Sequence, residues 1–340
     1  MNFEKIFRRG VSVLFILAVL VFAVGCGNGN DPDAENKKLD KANKFYNLEN
    51  YDLAIKLYDE VIDLNPKNVA AYSGRGKTYT KTYEYEQALA DFNKAIELDP
   101  KNSEFYIHRG EIYYLKRESD KADKDFTKAI ELNPNAEQAY FDRGVMYLFF
   151  GKNEQAISDF EKVIEINPSS YKTYKILGKF YYDSEQYEKA IVNYNKAIEL
   201  DPKDSEAYYD RGKANYCLKN YELSIPDFDK AIELTPYNPF IYNSRGISYC
   251  DLGEHERAIP DFDKAIELAP YEAFFYTARG NNYCKMNQYE RAIQDYDAAI
   301  ANAPYYTWAY NQRGEAYQAL GDEEKAQADL QKAIELGWKG

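Results

Sequence analysis

Apolar residues along most of the chain recur at the spacing of amphipathic helices, and the whole pattern repeats every 34 residues from residue 35 to residue 340. In each block of 34 residues, positions 4, 7, 8 and 11 share one face of a first predicted helix. Positions 20, 24, 27 and 28 share one face of a second. Each pair of helices leaves an apolar face that only the next pair can bury, so the pattern predicts a stack of helical hairpins.

Prolines set the register of the blocks. They stand at position 32 of consecutive blocks, where a residue without an N–H donor ends the second helix. These prolines are Pro66, Pro100, Pro134, Pro168, Pro202, Pro236, Pro270 and Pro304. The nine predicted blocks are 35–68, 69–102, 103–136, 137–170, 171–204, 205–238, 239–272, 273–306 and 307–340.

Small residues occupy fixed positions in the blocks. Position 8 is glycine in eight blocks, position 20 is alanine in eight, and position 27 is alanine or valine in all nine. These residues let the two helices approach closely, while aromatic residues at positions 4, 11 and 24 fill the surrounding space. The period and these small residues resemble the tetratricopeptide repeat family over all of residues 35–340. The resemblance implies an all-α fold, an α-solenoid wound as a right-handed superhelix with a concave inner groove.

Arginine at position 7 and aspartate at position 23 occur together in seven blocks, and the other two blocks lack both residues. In the family that the chain resembles, position 7 is usually leucine. We interpret the seven pairs as structural, each guanidinium reaching a carboxylate on the second helix of its own or a neighbouring block. The predicted pairs are Arg75 with Asp91, Arg109 with Asp125, Arg143 with Asp159, Arg211 with Asp227, Arg245 with Asp261, Arg279 with Asp295 and Arg313 with Asp329.

The segment before the repeats has the features of a secretion signal. Basic residues precede a 14-residue stretch, Val11 to Val24, that is apolar except for one serine and is too short to span a membrane. Ala23 and Gly25 precede Cys26, an arrangement that resembles the lipobox of bacterial lipoproteins, although that motif prefers leucine where Ala23 stands. We therefore expect residues 1–25 to be a signal peptide, Cys26 to be acylated, and residues 26–34 to form the lipidated cysteine and a flexible tether. The alternatives are an ordinary signal peptide or a short signal anchor.

The resemblance also implies where a ligand would lie, in a groove lined by positions 2, 5, 9, 12 and 13 of the first helices. In blocks three to six these positions carry apolar residues beside four lysines, on a chain that is otherwise acidic. We expect this strip, whose aromatic side chains point away from the neighbouring helix, to bind an extended peptide or a helix with an acidic or carboxylate end. The alternative is a solvated helix face. The expected residues are Tyr114, Leu115, Phe141, Val145, Leu148, Phe149, Lys172, Lys175, Lys179, Tyr182, Tyr209, Lys213 and Tyr216.

Composition further limits the classes of partner and of chemistry that we expect for this protein. With 43 Lys and Arg against 56 Asp and Glu, the net charge of −13 argues against nucleic acid as the partner, since phosphate binding needs a basic surface. Most of the 34 tyrosines fall at repeat packing positions. Cys217, Cys250 and Cys284 are expected as free or partly buried thiols, with a metal site as the alternative. His108 and His255 are interpreted as surface or packing residues.

These patterns predict a lipid-anchored protein of the bacterial cell envelope that binds other proteins, does no chemistry and needs no cofactor or metal. An accessory lipoprotein that binds a small molecule or glycan is one alternative, and a structural component of envelope assembly is another. At the end of the stack, Trp338 takes the place of the position-32 proline. We expect Trp338 to fold back over that end.

Overall fold

The structure, a computed structural model, describes residues 32–338. Over this range the chain forms eighteen α-helices and no β-strand, which confirms the all-α expectation. The helices are α1 (Pro32–Asn47), α2 (Tyr51–Leu64), α3 (Val69–Lys81), α4 (Tyr85–Leu98), α5 (Ser103–Leu115), α6 (Ser119–Leu132), α7 (Glu137–Phe149), α8 (Asn153–Ile166), α9 (Tyr171–Asp183), α10 (Tyr187–Leu200), α11 (Ser205–Cys217), α12 (Tyr221–Leu234), α13 (Pro239–Asp251), α14 (His255–Leu268), α15 (Ala273–Lys285), α16 (Tyr289–Asn302), α17 (Thr307–Ala319) and α18 (Glu323–Glu335).

Each block of 34 residues holds one pair of helices. The second helix of a block gives way to an extended residue at position 31, just before the proline. This extended conformation is the one that a following proline favours. The first helix, α1, begins at Pro32, inside the stretch expected to be a tether. The predicted signal peptide and Cys26 lie outside the described residues.

A left-handed residue at position 15 joins the two helices of every block. Its φ lies between 56° and 81°, and it is glycine in only three blocks; elsewhere it is a larger residue such as Tyr83. In the second block the following N–H, that of Glu84, bonds to the carbonyl of Tyr79 at 2.8 Å, which closes the end of the first helix. The tight turn reverses the chain and lays the second helix against the first.

The chain forms two compact units, one up to Lys101 and one from Asn102 onward. The first unit, α1 to α4, is built on buried alanines with Tyr58 and Val61 between them. In the second unit, α5 to α18, aromatic rings at position 24 are completely buried one block after another. These rings are Phe126, Phe160, Tyr194, Phe228, Phe262 and Tyr296.

Glycine at position 8 allows the two helices of a block to touch. A Cβ atom on Gly178 would lie 2.6 Å from Cε1 of Tyr194, closer than such atoms can approach. Tyr194 is 1% exposed, so its ring is enclosed in the core. The packing of first on second helix therefore depends on this glycine.

Candidate functional site

Every arginine at position 7 makes two hydrogen bonds to the aspartate at position 23 of its own block. The Nε and Nη2 atoms donate to the two carboxylate oxygens at 2.5–2.9 Å, a bidentate geometry, across all seven pairs. The aspartate side chains are 5–10% exposed. The hydrogen bond to Asp91 is the main reason that the pKa of Arg75 is raised, so the guanidinium stays charged.

Within each compact unit, the third nitrogen of these guanidinium groups ties neighbouring blocks together. Nη1 of Arg245 donates to Asp229 at 2.5 Å, and Nη1 of Arg211 donates to Asn195 at 2.7 Å; both acceptors stand at position 25 of the preceding block. Block five, which lacks the pair, has a buried Leu177 instead. The arginines and aspartates therefore join helices to one another.

The aromatic side chains expected to line the groove in blocks three to six are present, but they already make contacts within the protein. The hydroxyl of Tyr182 lies 3.7 Å from Sγ of Cys217, and that of Tyr216 donates to Asp251 at 2.6 Å. The Tyr209 hydroxyl lies 3.4 Å from Oγ of Ser244. The expectation that these rings point away from the neighbouring helix is wrong, because position 5 or 12 of one first helix reaches the first helix of the next block.

Two further aromatic residues of this strip pack on other rings. Phe141 lies edge-to-face on Phe160, with ring centroids 6.0 Å apart, and so is also turned toward the core of its own block. Tyr114 contacts the ring of Phe149, which is half exposed, at 5.8 Å. Leu115 is exposed beside them, and Val145 and Leu148 are half-buried.

Three of the four lysines in this strip form ion pairs. Lys175 lies 3.0 Å from Asp204 and 2.6 Å from Glu206. Lys179 lies 3.3 Å from Asp183, and Lys213 lies 2.7 Å from Asp210 and over the ring of Tyr182 at 4.9 Å. Lys172 is exposed. The lysines therefore do not form a free ammonium cluster, because carboxylates within the same repeats already balance most of their charge.

A cavity of ≈ 420 Å³ opens on the first-helix face of α11, α13, α15 and α17. These helices come to one face because α13 contacts α15 and α15 contacts α17. The residues that line the cavity stand mostly at positions 2, 5, 9, 12 and 13, the positions expected for the groove. They lie in blocks six to nine, however, rather than in the expected blocks three to six. They are Tyr216, Ile247, Cys250, Asp251, Phe262, Phe274, Thr277, Ala278, Asn281, Lys285, Tyr306 and Trp308.

The polar part of this cavity is one connected group. Lys285 donates to Asp251 at 2.7 Å, and Asp251 also accepts from the hydroxyl of Tyr216. Burial acts most strongly on Lys285 and lowers its pKa, but the hydrogen bond to Asp251 and the contacts with Asp251 and Cys250 together outweigh burial, so the lysine pKa is raised. Burial raises the pKa of the Cys250 thiol, so that residue contributes a neutral sulfur. The cavity thus combines aromatic walls with one ion pair, an arrangement that can hold an amphipathic ligand.

The remaining candidate residues have structural surroundings. Cys217 and Cys284 are half-buried thiols, and Sγ of Cys284 lies 3.4 Å from the Tyr296 hydroxyl. The side chain of His255 hydrogen-bonds that of Asn282 at 3.0 Å. Over residues 32–338, no group of three or more His, Cys, Asp and Glu side chains is arranged to hold a metal ion. No helix in the same range has the length and apolar character of a membrane span.

The end of the stack is closed by a pair of rings. Trp338 lies edge-to-face on Trp308, with centroids 5.3 Å apart. Trp308 stands at position 2 of the last block and also lines the cavity. The last described residue of the chain therefore supports a wall of the candidate site.

Models of one repeat family match the chain almost throughout. Models described as tetratricopeptide repeat match residues 39–103, 103–136, 137–170, 205–238, 239–272 and 309–336. A model described as TPR repeat matches residues 178–219 and 280–321. No curated protein matches the chain.

Solved structures with similar folds share modest identity with the chain. The MamA protein is 25% identical, with 49% of this chain and 91% of MamA covered at a TM-score of 0.45. YrrB, described as a TPR protein with an unusual peptide-binding site, is 25% identical, with 52% and 92% covered at a TM-score of 0.43. Yeast Tom70 is 19% identical, with 90% and 85% covered at a TM-score of 0.46.

Proposed function

Because the chain belongs to the tetratricopeptide repeat family, we propose that it is a lipid-anchored, extracytoplasmic protein that binds a segment of a partner protein without catalysing a reaction. The bound segment lies in the cavity of α11, α13, α15 and α17. The cavity is the observation that carries the proposal, since aromatic side chains and a charged pair line a concave space there.

The chemistry of the cavity supports binding of a peptide with mixed character. Phe274 and Trp308 offer apolar surface, and rings of this kind act as anchors at protein interfaces. Lys285 is half exposed and Asp251 is a quarter exposed, so each can form a hydrogen bond with a ligand while keeping the other. An extended segment with one apolar side chain and neighbouring polar groups would satisfy both parts.

The anchor and the compartment rest on the sequence before the repeats. The basic start, the short apolar core and the Ala23–Gly25–Cys26 arrangement together support export and acylation of Cys26. A lipidated N-terminus would leave the repeats free to meet partners at the surface of a bacterial membrane.

A small molecule is the second candidate ligand. The cavity volume of ≈ 420 Å³ falls in the range of about 300–1,000 Å³ that small-molecule sites occupy. The glycan-binding alternative raised by the sequence falls in the same class. Both alternatives predict that metabolite or oligosaccharide fractions of the cell envelope, rather than proteins, compete for the cavity.

The proposal is tested by affinity capture from envelope extracts with the mature protein in detergent. Lys285→Glu places a second carboxylate beside Asp251, so two like charges would repel one another in the wall of the cavity. This variant is therefore expected to abolish capture of the partner. Lys179→Glu, at position 9 of block five, is the matched control and also tests the earlier strip. Both variants are first checked for unchanged helix content and melting temperature.

The two variants separate the possible sites. Loss of the partner with Lys285→Glu alone supports the cavity, whereas loss with Lys179→Glu alone moves the site to blocks three to six. Full retention by both variants would contradict binding on the first-helix face and would favour the structural envelope role.

A further inference from the structure

Three tyrosines protrude from consecutive turns between blocks in the C-terminal part of the chain. Tyr237, Tyr271 and Tyr305 stand at position 33 of blocks six, seven and eight and are 81–83% exposed. The same position holds small or polar residues in earlier blocks. Those residues are Lys67, Lys101, Asn135, Ser169 and Lys203.

Position 2 of the following first helix changes in the same way. It holds Phe240, Phe274 and Trp308 in the last three blocks, with 50%, 46% and 37% of their surface exposed. In the six earlier blocks the residues are small, polar or charged: Asn36, Ala70, Glu104, Gln138, Lys172 and Glu206. We call the set Tyr237, Phe240, Tyr271, Phe274, Tyr305 and Trp308 the aromatic row.

The turns between blocks are held by hydrogen bonds that do not involve the tyrosine side chains at position 33. In blocks one to five, Asn or Asp at position 31 accepts a hydrogen bond from the N–H of position 33 at 3.0–3.3 Å. In blocks six to eight that acceptor is replaced by Thr or Ala, and a tyrosine hydroxyl at position 4 donates to the proline carbonyl instead. These bonds are Tyr242 to Pro236 at 3.1 Å, Tyr276 to Pro270 at 3.0 Å and Tyr310 to Pro304 at 3.3 Å. Neither the turn nor the core therefore explains the tyrosine at position 33.

Exposed rings in a regular row indicate an interaction surface. Single exposed apolar residues are common, but a contiguous set of large ones marks a binding site. Tyrosine and tryptophan are the residues that protein interfaces favour, because they combine apolar area with a polar end. The aromatic row reaches the cavity, since Phe274 and Trp308 belong to the row and also line the cavity.

The spacing of the row fits one kind of ligand. First helices of consecutive blocks contact one another here, and contacting helices lie about 8–10 Å apart. A polyproline II helix has three residues per turn and rises about 3.1 Å per residue, so one turn spans about 9 Å. Each turn of such a ligand would meet the rings of one block, and proline-rich segments dock in aromatic-lined grooves.

Charge and hydrogen bonding near the aromatic row further limit the class of ligand that it can bind. Glu272, next to Tyr271, is exposed and makes no side-chain bond to the helix that it precedes, and the chain as a whole carries a net charge of −13. Basic residues beside the prolines would be attracted to this surface. A sugar chain needs many hydrogen-bonding groups beside the rings. The hydroxyls of Tyr242, Tyr276 and Tyr310, which lie at the same turns, are already bonded to proline carbonyls.

We propose that the aromatic row binds a proline-rich segment with basic flanks, held as a polyproline II helix that enters the cavity at Trp308. This inference rests on the proposed function, since it names the class of partner that the cavity serves. The segment belongs to another protein, because the prolines of this chain punctuate its own helices.

The test uses the mature protein in detergent and a fluorescein-labelled peptide of nine prolines between two arginines at each end. A peptide of equal length with glycine and serine in place of the prolines is the control for charge. Fluorescence anisotropy is expected to show saturable binding of the proline peptide and at least tenfold weaker binding of the control. The fluorescence of the tryptophan pair Trp308 and Trp338 should change on binding as well.

Serine at position 33 occurs naturally in block four, so the triple variant Tyr237→Ser, Tyr271→Ser and Tyr305→Ser keeps a turn-compatible residue. It is expected to bind the proline peptide at least tenfold more weakly. The triple variant Lys67→Ser, Lys101→Ser and Lys203→Ser changes the same position elsewhere and should bind as the unaltered protein does.

Equal binding of the two peptides, or an undiminished affinity in the tyrosine variant, would overturn the proposal. So would a fluorescence response to chitohexaose without one to the proline peptide, which would assign the row to glycans. If the proline peptide fails while Lys285→Glu still abolishes capture of the partner, this inference falls and the proposed function stands. If Lys285→Glu also leaves capture intact, both fall.

Discussion

Arg245 contacts two carboxylates, one buried and one exposed, and removing the buried one should destabilise the protein much more than removing the exposed one. Arg245 contacts Asp261 of its own block at 2.6 and 2.8 Å and Asp229 of the preceding block at 2.5 Å. The Asp261 side chain is 6% exposed, whereas the Asp229 side chain is 51% exposed. The two bonds to Asp261 are also the main reason that the pKa of Arg245 is raised.

The magnitudes follow from burial. Breaking a buried pair by removing one member costs about 3–5 kcal/mol, because a charge is left without its partner. Arg245 keeps Asp229 and is 20% exposed, so we expect Asp261→Ala to lower the free energy of unfolding by about 3 kcal/mol, the low end of that range. Asp229→Ala removes an exposed partner and should cost about 0.2–1 kcal/mol.

Urea denaturation followed by circular dichroism measures both variants. Repeat arrays can unfold in parts, so hydrogen exchange in α13 and α14 should accompany it to locate the loss. A cost below about 1 kcal/mol for Asp261→Ala, or equal costs for the two variants, would refute the idea that buried bidentate pairs hold the blocks together.

Block five supplies the matched control, because it naturally has Leu177 and Asn193 at the two positions. The double variant Arg245→Leu with Asp261→Asn copies that block and removes both charges. It should be more stable than Asp261→Ala, since no uncompensated charge remains. A double variant that is less stable than the single would show that the arginine contributes through something other than its pair.

Further predictions concern the repeat core, the turns and the anchor. Gly178→Ala should lower stability by about 1–3 kcal/mol in thermal unfolding, because its Cβ atom would meet the buried Tyr194 ring; an unchanged melting temperature would contradict the close approach. Tyr83→Gly should raise stability by about 1 kcal/mol, because φ at this position is 65°, and a loss would show that the exposed ring has a packing role. Cys26→Ser should leave the protein unacylated and move it from the detergent phase to the aqueous phase; an unaltered detergent partition would refute the lipid anchor.

The helical architecture could be predicted from the sequence because each local signal repeats. Proline at position 32, glycine at position 8 and the apolar faces all point to the same pair of helices, and the family and the fold are as expected. The partners of the arginines could be named as well, since arginine and aspartate appear and disappear together. Only the choice between the same and the neighbouring block needed the structure.

The candidate site was harder to predict because its features depend on contacts between blocks. Lys175 lies far in sequence from Asp204, at the end of its own block, and from Glu206, in the next block, so its ion pairs could not be read from local pattern. Asp251 and Lys285 are likewise one block apart, at position 13 of each. The signal that could have found the cavity is the change of position 2 from small, polar or charged residues to aromatic ones, which reaches the cavity at Phe274 and Trp308. This change is visible only when the blocks are aligned with one another.

Binding of a partner segment in the cavity is tested most directly by a photo-cross-link made inside the cell. A photoreactive phenylalanine analogue at Phe274 would sit in the wall of the cavity. The same analogue at Leu223, which is 61% exposed on the second helix of block six, samples the surface away from the first helices. Binding in the cavity predicts a protein adduct at Phe274 and none at Leu223. An adduct at Leu223 without one at Phe274 would contradict it.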